Sequence, residues 1–115
     1  MSVTIYHNPR CSKSRQTLQL LRDRGIEPKV IEYLHDPPDP RTLEKLAKML
    51  KLRPIEMVRR GESPFKSLAL DRKQHDDAII LEAISNHPIL LERPIVVHGQ
   101  KAALGRPPQS VLEIL

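Results

Sequence analysis

The chain's only cysteine, Cys11, lies in the run His7-Asn8-Pro9-Arg10-Cys11-Ser12-Lys13-Ser14-Arg15, among polar and cationic neighbours. A thiol kept as a small buried hydrophobe has apolar company. A thiol among basic groups is disposed to ionise, and the thiolate is the nucleophilic form. A lone cysteine forms no internal disulfide and no Cys-x-x-Cys pair, so two-electron thiol chemistry here needs a thiol from outside. His7 precedes the cysteine by four residues and is a candidate for activating it, with a hydrogen-bonding role at a strand end as the plain alternative. His35, His75, His87 and His98 are scattered singly and no His-Glu-x-x-His pair exists, so no metal site is expected.

Such a cysteine has to be presented, and the flanking residues say how. Val3, Ile5 and Tyr6 are strand formers, Asn8-Pro9 is a breaker pair, and Thr17, Leu18, Leu20 and Leu21 follow helical spacing. The cysteine therefore begins a helix, expected over 12–24 with Gly25 as its cap. Unpaired N–H groups and the positive end of the helix dipole favour an anion there, either the thiolate or an oxyanion in front of it. A second strand is expected within 28–33, giving a β-α-β unit with a parallel strand pair.

The Asp36-Pro37-Pro38-Asp39-Pro40 hinge stops both periodicities. Beyond it, Leu43, Leu46, Ala47 and Leu50 predict an amphipathic helix over 41–50. Shorter helical stretches are expected over 52–60 and 74–86. Ile89-Leu90-Leu91 and Pro94-Ile95-Val96-Val97 read as strands, Gly99-Gln100 as a turn before Lys101-Ala102-Ala103-Leu104, and 108–115 as a closing helix. The order is β-α-β, helices, β-β-α, an α/β arrangement.

Composition narrows the function classes. At 115 residues the chain suits one domain over 1–115 with a core of its own. Aromatic residues make up 3% of it, too few for a base-stacking surface, so no nucleic-acid partner is expected. No apolar stretch approaches the roughly 20 residues of a membrane span, the N-terminus lacks the pattern of a signal peptide, and a free thiol suits a reducing cytoplasm. The formal net charge of +5 attracts anions of any kind. No coiled-coil stripe argues for association, so a monomer is expected.

A cysteine between strand one and helix one, with Arg93-Pro94 placed where a cis-proline loop would face it, matches the thioredoxin-like fold with a helical insertion between its β-α-β and β-β-α halves. Together with Glu32-Tyr33-Leu34, Pro37-Pro38, His87-Pro88-Ile89-Leu90, Arg93-Pro94-Ile95-Val96-Val97 and Gly105-Arg106-Pro107, the Cys11 run resembles the single-cysteine, glutaredoxin-linked arsenate reductase family over nearly the whole chain. That resemblance implies reduction of arsenate to arsenite through a Cys11–arsenate adduct, with glutathione as co-substrate, glutaredoxin as partner and no tightly bound cofactor. It also implies that Arg59, Arg93 and Arg106 gather around the oxyanion, with Arg60 adjacent to Arg59 and exchanged with it by a one-residue slip. The chemistry agrees. A thiolate is a soft nucleophile for As(V), and guanidinium groups suit a tetrahedral oxyanion better than ammonium groups do. Two other readings use the same scaffold: a redox-responsive transcriptional regulator of the Spx type, which binds RNA polymerase, and a general thiol-dependent reductase. The regulators carry a Cys-x-x-Cys switch, and Ser14 stands where its second cysteine would be.

Overall fold

The computed structural model describes residues 2–115. Its sheet has four strands: β1 (Val3–His7), β2 (Lys29–Glu32), β3 (Ile95–His98) and β4 (Lys101–Leu104), in the order β2-β1-β3-β4. β1 pairs in parallel with β2 and antiparallel with β3, and β3 pairs antiparallel with β4. With helix α1 (Ser12–Asp23) joining the parallel pair, this is the thioredoxin-like arrangement.

Strand alternation explains the core of this sheet. Val3 and Ile5 share one face of β1, Val96 lies opposite Ile5 in register, and both pack with Leu21 of α1 and Val111 of the closing segment. Ile5, Leu21, Val96 and Val111 have no exposed surface, each worth about 1.5–3 kcal/mol against exposure. α1 ends at the Arg24 cap, and Gly25 takes φ +76°, a conformation that glycine adopts without strain.

The described chain divides into two compact units. One comprises the chain up to Asp36 together with Arg93 to Leu115, and the other is Pro37–Glu92. The second is helical, and its boundary falls in the proline hinge read from the sequence. Its main helices are α2 (Pro40–Leu50) and α4 (Asp77–Asn86), which pack on one another, with a short helix α3 (Ser63–Ser67) between them in the chain. Asp39 starts α2 by accepting the Thr42 N–H at 2.7 Å, and Asp76 starts α4 by accepting the Ile79 N–H at 3.2 Å. Leu43, Leu46 and Ala47 are buried on α2, and Ile80, Leu81, Ala83 and Ile84 on α4.

Several sequence expectations need correction here. The segment 89–91 is not a strand: Pro88–Leu90 forms a 3₁₀ turn, and Leu91 keeps only a single antiparallel bridge to Val58. The Leu90 and Leu91 N–H groups are spent locally on the carbonyls of His87 and Pro88, leaving no ladder to build. The helix expected over 52–60 shrinks to the 3₁₀ turn Pro54–Met57, because Val58 turns extended to make that bridge. The helix expected from Gln74 starts at Asp77, where Asp76 supplies the cap. The closing helix is 3₁₀ over Pro108–Ile114. α3 and the 3₁₀ turn Leu70–Lys73 fall in a stretch with no periodicity to announce them.

Candidate active site

The loop between β1 and α1 is built by Asn8. Its carbonyl accepts the Cys11 N–H at 3.0 Å and its side-chain Oδ1 accepts the Arg10 N–H at 3.0 Å, folding the chain back on itself before the helix. Cys11 then occupies the N-cap of α1 with extended backbone, and its carbonyl receives the Arg15 N–H at 3.0 Å. The thiol is half-buried and free.

Partial burial pushes the Cys11 thiol up, but it is outweighed. The Ser14 and Lys13 amides at the helix start, with the Arg93 side chain and its charge, favour the thiolate, and the net result lies below the ordinary thiol range. The helix start and a guanidinium thus share one sulfur. Arg93 comes from the loop before β3, where the Arg93–Pro94 peptide is cis as the fold led one to expect. The Arg106–Pro107 peptide is cis as well, which the sequence reading had not singled out.

The structure places each of the residues named from sequence. Cys11, His7, Arg93 and Arg106 all belong to the sheet unit. Arg106 is exposed, and its Nη1 donates to the Arg93 carbonyl at 2.9 Å. Arg59 belongs to the helical unit, where its Nε pairs with Glu62 at 3.3 Å and its backbone N–H donates to the Leu90 carbonyl at 2.7 Å. Its neighbour Arg60 is engaged elsewhere, with the guanidinium over the Phe65 ring at 5.5 Å and Nη2 donating to Gln74 Oε1 at 3.3 Å.

His7 enters by a route the sequence did not disclose. It is buried at the end of β1, and its Nδ1 lies 2.6 Å from Ser14 Oγ. Ser14 Oγ also accepts the Asn8 N–H at 3.0 Å. Burial holds the imidazole below its ordinary range, Glu32 pulls the other way, and Arg22 and Arg15 add to the lowering. The neutral ring therefore holds Ser14, whose backbone N–H faces the sulfur. Ser14 itself, fully buried, is the residue that sequence reasoning passed over. Its signal was position: the third residue of the helix, where an N–H must find an acceptor.

Among the described residues no group of three His, Cys, Asp or Glu side chains is placed to hold a metal ion, and no helix is long and apolar enough to cross a membrane.

Comparison with known proteins places the chain among relatives. Residues 6–114 match the model of the ArsC family. The chain is 48% identical over 116 residues to a protein of Haemophilus influenzae named arsenate reductase, covering 100% of both. It is 44% identical to one of that name from Rhizobium meliloti, covering 100% of this chain and 82% of that protein. A solved structure described as arsenate reductase from Vibrio cholerae superposes with a TM-score of 0.94 at 49% identity, covering 100% of this chain and 98% of that one.

Proposed function

Because the chain belongs to the ArsC family, we propose that it reduces arsenate to arsenite, with Cys11 as the nucleophile and soluble thiols as the source of electrons. The observation that carries this reading is the shared sulfur: the α1 amides and the Arg93 side chain both act on Cys11, and the thiol is held below its ordinary range. That cradle favours the thiolate over the neutral thiol, and the relatives' names supply the substrate class.

The reaction balances without a resident cofactor. The Cys11 thiolate attacks arsenic, and one oxygen leaves as water as the S–As bond forms. A first external thiol adds to arsenic and expels a second oxygen as water. A second thiol attacks the sulfur of the first, making a disulfide and leaving the electron pair on arsenic as As(III). Hydrolysis of the Cys11–As bond frees arsenite and restores the thiol. In sum, one arsenate and two thiols give arsenite, one disulfide and one water. Glutathione and a glutaredoxin are the thiols in this proposal, because the chain has no second cysteine and a reducing cytoplasm holds both. Arg93 and Arg106 hold the oxyanion, and His7 keeps Ser14 in place beside the cysteine.

The deciding assay follows NADPH oxidation driven by arsenate with glutathione, glutaredoxin and glutathione reductase, for the native chain and for Cys11→Ser. Turnover in the native chain alone is expected. A native chain that is inert toward arsenate yet alkylates rapidly near neutral pH overturns the substrate and leaves a general thiol-dependent reductase. Turnover persisting in Cys11→Ser overturns the nucleophile.

A further inference from the structure

Gly105 sits where two halves of the Cys11 site meet. A Cβ at this position would lie 2.5 Å from Thr17 Oγ1, 2.7 Å from Pro94 Cγ and 3.2 Å from Pro94 Cδ, so α1 and the Arg93–Pro94 loop close on one another across a residue with no side chain. The contacts on either side lead to the sulfur. Thr17, fully buried, donates its hydroxyl to the Lys13 carbonyl at 2.8 Å, tying the second turn of α1 to the first turn, whose Lys13 and Ser14 amides act on Cys11. On the other side, the Gly105 N–H donates to the Pro94 carbonyl at 2.9 Å and Arg106 Nη1 to the Arg93 carbonyl at 2.9 Å, so residues 105 and 106 hold both carbonyls of the loop that carries Arg93.

The geometry points to Gly105 as a positioning residue: the absent Cβ sets how near the Arg93 guanidinium comes to the sulfur that the α1 amides already share. Gly105 is not in the positive-φ region, so its requirement is for space and not for backbone conformation. Neither neighbour yields cheaply, since Thr17 is packed and bonded on the helix and the Pro94 ring is rigid. A methyl group here moves the Arg93 loop away from α1. The inference concerns the state of the thiol, so it is tested without arsenate and stands or falls separately from the choice of substrate.

The test measures iodoacetamide alkylation of Cys11 against pH in four proteins: native, Gly105→Ala, Arg93→Ala and the double variant. Gly105→Ala is expected to move the profile to higher pH and to slow alkylation below the thiol's midpoint by about twofold or more, through loss of thiolate. Arg93→Ala is expected to move the native profile but to add little in the Gly105→Ala background, because the guanidinium is already displaced. A merely structural glycine would lower the melting temperature and leave the effect of Arg93→Ala intact. An unmoved profile in Gly105→Ala, or additive shifts in the double variant, overturns the proposal. Should Gly105→Ala fail to fold, Thr17→Ala/Gly105→Ala removes the nearer obstacle and leaves the one at Pro94. Its profile is expected to lie at higher pH than that of Thr17→Ala alone, and coincidence of those two profiles overturns the proposal equally.

Discussion

At the scale of single residues, the proposed reaction divides the work between a group that reacts and groups that hold it. Arg93 contributes both a hydrogen bond and a charge to the Cys11 sulfur, so Arg93→Ala should shift the alkylation profile to higher pH and slow the reaction about two- to tenfold below the midpoint. Stopped-flow alkylation across pH 5–9, on the order of the range where thiols titrate, checks this. His7 makes a different prediction. Its folded imidazole titrates below the unfolded one, so the unfolded chain binds the extra proton and stability falls as the pH drops. The contribution is complete above about pH 6.5, the unfolded value, and is lost as the pH falls through the lower folded value. Melting curves should therefore show a steeper acid loss for the native chain than for His7→Gln, which carries no proton over that range. Equal acid slopes would place the titration elsewhere.

At the scale of elements, helix starts do most of the positioning, and they do it with different side chains. Cys11 begins α1 with its sulfur near the helix amides, whereas Asp76 begins α4 by accepting the Ile79 N–H. Replacing Asp76 by Ala removes that acceptor and should cost about 0.5–1 kcal/mol, a fall of a few degrees in Tm. Thiol reactivity should not change, since Asp76 lies in the helical unit and takes no part in the Cys11 cradle. The same variant thus separates stability from site chemistry, by calorimetry on one side and alkylation on the other.

At the scale of the whole molecule, one cysteine and a net charge of +5 constrain the reaction more than any single contact does. The positive charge draws in oxyanions at long range, an effect that salt screens. In the proposed reaction the lone thiol forms an adduct, and one thiol cannot by itself deliver two electrons. Incubating equimolar chain and arsenate without added thiol should therefore release no arsenite, as read by arsenic speciation, and adding glutathione should start its release. Arsenite formed by the chain alone would require an electron source that the proposed reaction lacks.

The local frame of Cys11 was legible in the sequence because it depends on neighbours along the chain. Asn8-Pro9 breaks a strand, the spacing of Thr17 to Leu21 makes a helix, and Cys11 falls between them among cations. The proline hinge likewise marked where the helical unit begins. Local pattern misled at Ile89-Leu90-Leu91, where an apolar run found its hydrogen bonds within its own turn rather than in a ladder. What only the tertiary structure decided were the meetings of residues far apart in the chain: Arg93 on the Cys11 sulfur, His7 on Ser14, and Thr17 against Pro94 across Gly105. A glycine in a loop and a serine in a helix look ordinary in sequence, because close approach and burial belong to the packed chain and leave no trace in residue spacing.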